Sequence, residues 1–176
     1  MSHPDDVVRR LAAMIEKSGW AAQAVFRAAG SDGVGWTYTI GLHAATSQPE
    51  LIVFGLPPLL AHAALTALAN KARAGEELTT GRHYHDVLKG LSGDVAVELI
   101  TVDPGFVGPA YSYFNVGLLM WAEHPPPVLQ LLWPDAQDRL PTDPDFDAAM
   151  IARQPLLSGQ ARSDHEVSDT REPGPG

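Results

Sequence analysis

The sequence predicts an α+β fold: a mainly antiparallel sheet with an N-terminal helix and a central helix packed on it. Three observations carry that expectation. An amphipathic stripe opens the chain, three strand-like runs then follow without an intervening helix, and a proline-led Ala/Leu helix comes directly after the third. Strands that succeed one another in this way pair as hairpins rather than as βαβ units. No Gly-rich dinucleotide fingerprint follows any of the strands, which argues further against a Rossmann arrangement.

The first helix is read from Pro4 to Ser18. Pro4 suits a first turn, Asp5 and Asp6 complement the positive helix end, and Val7, Val8, Leu11, Ala12 and Ile15 fall on one face. Lys17 followed by Gly19 is a stop signal. Trp20–Ala28 and Trp36–Ile40 read as the two arms of an antiparallel hairpin around the turn Gly30–Gly33. Gly41–Gln48 reads as a polar loop. Leu51–Phe54 is a continuous apolar run, as expected of a central buried strand. The second helix runs over Pro57–Gly75, with Leu60, Ala64 and Leu68 on one face.

Glu76–Gly93 reads as a polar connector with a short helix near Tyr84–Leu91. Val95–Val102 alternates like a strand. Pro104–Pro109 is a loop, Ala110–Gly117 a short helix presenting Tyr111, Tyr113 and Phe114, and Val128–Trp133 a last strand. A weak helical stretch lies near Phe146–Ala152. From Ser158 to Gly176 only Ala161 and Val167 are apolar, too little to offset chain entropy. The expected organisation is one domain over residues 1–157 and a disordered acidic tail over 158–176.

Composition narrows the function. The chain has 176 residues, 12 basic and 21 acidic, for a net charge of −9. Such a balance gives no general phosphate-neutralising surface, so no nucleic-acid partner is expected. The absence of cysteine removes disulfides, thiolate metal sites and cysteine nucleophiles. No secretory signal and no apolar run of membrane-spanning length is present, so a cytoplasmic protein without a membrane partner is expected. GxSxG, P-loop and HExxH motifs are all missing.

Several motifs together resemble a known family. Gly19–Trp20 is followed by Tyr38–Thr39–Ile40–Gly41–Leu42, then by Pro49–Glu50–Leu51–Ile52–Val53 and Gly55–Leu56. The Ala/Leu helix ends at Ala74–Gly75, and Leu129–Gln130–Leu131–Leu132–Trp133–Pro134–Asp135 comes last. This pattern, over roughly Met14 to Pro141, resembles the bacterial family catalogued as domain of unknown function forty-two sixty-two. The resemblance implies a small α+β domain and brings no established chemistry.

Candidate site residues therefore come from chemistry alone. Tyr38 and His43 sit at a strand end and in its loop, where functional groups are often held by a rigid sheet. His83 and His85 flank Tyr84 in a connector long enough to suggest function. With Tyr38 they are the catalytic candidates, the imidazoles as proton carriers and Tyr38 as an orienting hydroxyl. Arg82 can hold an anion through its planar fork, and His43, Trp121 and His124 can line a pocket. Glu50 is expected to cap a turn, pair with Arg82 or serve as a partly desolvated base. The expected site lies where the Tyr38–His43 segment meets the His83–His85 connector. No complete ligand set is visible, so no metal is expected, and the cofactor is unknown. A distant likeness to flavin-reductase barrels is fold analogy only.

The function expected from these residues is a small-molecule or cofactor-binding cytosolic domain, extending to an enzyme of bacterial specialised metabolism. The alternative is a non-catalytic acidic interaction protein, of inhibitor or immunity type, steered to a basic partner by its charge. A homodimer pairing exposed strand edges is a third reading.

Overall fold

The computed structural model describes residues 3–90, 93–121 and 124–159. Helix α1 (Pro4–Ser18) begins on a His3 cap and stops at left-handed Gly19, as the sequence predicts. Strands β1 (Ala21–Val25), β2 (Trp36–Ile40) and β3 (Glu50–Phe54) follow, with helix α2 (Leu42–Thr46) between the last two. Helix α3 (Pro58–Arg73) leads to the hairpin β4 (His83–Gly90) and β5 (Gly93–Thr101). Short helices α4 (Pro104–Val107) and α5 (Asn115–Met120) precede β6 (Val128–Leu132), and α6 (Ala148–Ile151) comes last.

The six strands form one sheet in the order β1-β2-β3-β6-β5-β4. Every pairing is antiparallel except β3 with β6, where Glu50 sits opposite Val128 and Val53 opposite Leu131. The sheet has a core on each side. On one face α3 lays Ala61, Leu65 and Leu68 against Leu51, Val53, Leu99 and Leu131. On the other, Leu11 of α1 and the aromatic side chains Phe106 and Phe114 cover Tyr38, Ile40, Ile52 and Phe54. Both faces of β2 and β3 are thus covered, and every residue of these strands is buried. Burying one Val or Leu in such a layer is worth about 1.5–3 kcal/mol.

Three expectations change. The stretch 76–93 holds a strand where a short helix was expected. Tyr84, Val87 and Leu88 are all buried, a spacing that mimics a helical face. In the strand it arises from a bulge, since the register against β5 shifts between Tyr84 and Leu88. Tyr111, Tyr113 and Phe114 precede α5 instead of riding on it; Tyr113 packs edge-on to Trp36 and Phe54. The expected loop 41–48 contains α2.

The C-terminal part folds back onto β6. Buried Gln130 donates to the Pro155 carbonyl and accepts from the Leu157 amide. Gln154 bridges both backbone groups of Trp133. Leu157 is the last buried residue described; of the expected tail, residues 160–176 lie outside the described ones. No described helix is long and apolar enough to cross a membrane.

Candidate functional site

The site begins with one carboxylate. Gly41 ends β2 at φ +95°, a left-handed conformation that side chains other than glycine adopt at a cost. The turn swings the first amides of α2 toward the start of β3. There the Glu50 carboxylate accepts from the amides of Gly41 (2.8 Å), Leu42 (3.3 Å) and His43 (3.2 Å), and from the Thr39 hydroxyl (2.5 Å). Glu50 is 1% exposed. Burial pushes its pKa above the usual carboxylate value, and the Thr39, His43, Gly41 and Leu42 donors pull the other way. Of the roles expected for Glu50, the structure realises the turn cap. Arg82 is paired elsewhere.

This capped turn fixes His43. Its Nδ1 lies 3.0 Å from the Gln48 carbonyl. A carbonyl only accepts, so Nδ1 carries the ring hydrogen and Nε2 of the neutral ring keeps its lone pair.

A cavity of about 520 Å³ opens beside the turn. Its apolar wall is made of Ala12 and Ile15 from α1, Ile40 from β2, Ala44 from α2, Met120 from α5, and Pro126. Glu16, His43, Glu50, Trp121 and His124 supply the polar groups. Trp121 follows α5 directly and packs against Phe114 and Tyr38, with ring centroids 5.7 and 6.3 Å away. Its indole N–H is buried and finds no acceptor among the described residues. A buried donor left unpaired costs about 1–3 kcal/mol.

The sequence-predicted residues separate into two groups. His43, Trp121 and His124 meet at this cavity. Tyr38 lies beneath it, 1% exposed. Its hydroxyl accepts from the Gly117 amide at 3.1 Å, so it supports α5 and is not turned to a ligand. Burial pushes its pKa up to about 12, against the smaller opposing effect of the Gly117 and Val116 amides. His83 and His85 are exposed on β4, at the far edge of the sheet, with β3, β6 and β5 between them and β2. Arg82 pairs with Glu76 at 3.0 Å and stacks on Tyr84. The expected meeting of the Tyr38–His43 segment with residues 83–85 therefore does not form; strand order, invisible in local pattern, keeps them apart. Among the described residues no three His, Asp or Glu side chains gather as a metal site.

Sequence reasoning missed the walls from α1 and α5. The apolar stripe of α1 was legible, but nothing in it separates Ile15, which faces the cavity, from Leu11, which faces the core.

The profile of a family described as Domain of unknown function (DUF4262) matches residues 14–147. The chain belongs to this family. The DUF4262 match takes in β1 to β6 and nearly every cavity residue, with only Ala12 outside it. No curated protein and no solved structure matches the chain.

Proposed function

We propose that the cavity between α1, α2 and α5 binds a small organic molecule and that the protein is a small-molecule-binding domain. The observation that carries this reading is a cavity of about 520 Å³ with a largely apolar wall, on which the capped turn sets the His43 ring. Such pockets combine an apolar body with a few polar groups that fix orientation. The complement is a mostly apolar molecule that offers a hydrogen-bond donor to Nε2 of His43. The same His43 lone pair can take up a proton from a bound molecule, which is the step an enzymatic role would need.

The test uses full-length protein. A library of neutral heteroaromatic fragments is screened by thermal shift, and native mass spectrometry looks for a co-purified molecule. Ala44→Trp fills the cavity from an exposed position of α2. Binders should lose their effect on that variant, and His43→Phe, which keeps a ring but removes Nε2, should weaken donor-bearing binders about fivefold. Fragments that stabilise wild type and Ala44→Trp equally would place binding elsewhere.

A further inference from the structure

A second groove, of about 390 Å³, lies at the opposite end of β2, between the β1–β2 connection, the end of β3 and the start of α3. It shares no lining residue with the first cavity. Among the described residues its lining contains two arginines, Arg27 and Arg153, and no acidic residue. Neither arginine forms an ion pair among the described residues. In a chain with 21 acidic and 12 basic residues, two cations that line one groove with no described carboxylate beside them leave a local positive field in an acidic molecule.

Both guanidinium groups are held in place. Arg27 lies over the Trp36 ring at 5.0 Å and Arg153 over the Trp133 ring at 5.2 Å. Arg27 also runs so close to Gly33 that a Cβ there would stand 2.8 Å from its Nε. Arg153 donates to the Gly55 carbonyl at 3.1 Å and to the Met150 sulfur at 4.0 Å. Stacking uses the faces of a guanidinium and leaves its in-plane N–H groups for an acceptor. Apart from Thr37, the other side chains of the lining are apolar, Val25, Phe26, Trp36 and Leu56 among them. Phe26 is 72% exposed, an open aromatic surface beside a cationic fork.

We infer that this groove binds a small anion carrying an apolar ring, its phosphate or carboxylate head held by Arg27 and Arg153 and its ring set against Phe26. The start of α3 adds to the same field, having neither a side-chain cap nor an acidic residue in its first turn.

Phenyl phosphate, benzoate and inorganic phosphate are titrated by calorimetry into full-length wild type, Arg27→Gln, Arg153→Gln and the double variant, at low ionic strength. Circular dichroism checks that each variant keeps its fold. At least one ring-bearing anion should bind wild type, and about tenfold more tightly than inorganic phosphate does. Each single variant should weaken it about fivefold or more, and the double variant should abolish it. Arg27→Lys, which keeps charge but loses the fork, should fall between wild type and Arg27→Gln. Failure of both ring-bearing anions to bind wild type, or equal binding by a folded double variant, would overturn the inference. Equal affinity for phenyl phosphate and inorganic phosphate would overturn the role given to Phe26.

Discussion

Glu50 stands between two opposing demands. Burial favours its neutral form, while three amides and a hydroxyl favour the carboxylate. Its pKa is raised in the folded protein, so the native state keeps the proton to a higher pH than the unfolded chain does. The stability it contributes is therefore fully present below the ordinary glutamate range and is lost as pH rises through the raised value. Urea denaturation across mildly acidic to neutral pH, compared between wild type and Glu50→Gln, isolates this effect. The difference between the two curves should slope across that window, and a flat difference would mean an ionised Glu50 throughout. Glu50→Gln should also cost about 1–3 kcal/mol, because an amide nitrogen then meets backbone donors. Tyr38 shows the same principle in a simpler form. A phenol that titrates only near pH 12 exchanges no proton near neutrality and serves as an acceptor for Gly117.

At the level of elements, the sequence was most informative where one period dominated. The α1 stripe, the proline start of α3 and the unbroken run of β3 each specify type and place. Val53, 1% exposed between β2 and β6, gives the sharpest check. Val53→Asp should bury an unpaired carboxylate and abolish cooperative unfolding, read by thermal melting with circular dichroism. A soluble variant that still melts cooperatively would contradict the placement of β3. Reading failed where tertiary pairing overrode local pattern. The β4 bulge made a strand look helical, and α2 exists because Glu50, several residues downstream of its amides, caps it. Half of the candidate site was legible for a related reason. His43, Trp121 and His124 were visible as chemistry beside strand ends. That His83 and His85 lie four strands away from β2 follows from sheet order, which no periodicity encodes.

Across the whole molecule, the sheet divides into two sets of consecutive strands, β1–β3 and β4–β6, and within the sheet these meet only at the parallel pair β3–β6. Pairings within each set close shorter loops than this one, which joins Glu50 to Val128. Loop closure then places the central pairing late in folding. Until it forms, each half presents its most apolar strand, Glu-Leu-Ile-Val-Phe or Val-Leu-Gln-Leu-Leu, as an open edge. Such segments, low in charge and free of proline, are the kind that associate between chains. Refolding by dilution from denaturant should therefore give a yield that falls steeply with protein concentration, with light scattering rising before native fluorescence returns. A yield independent of concentration would mean that β3 and β6 find each other early. The same parallel seam that makes the finished sheet continuous is thus where aggregation would start in a chain not yet folded.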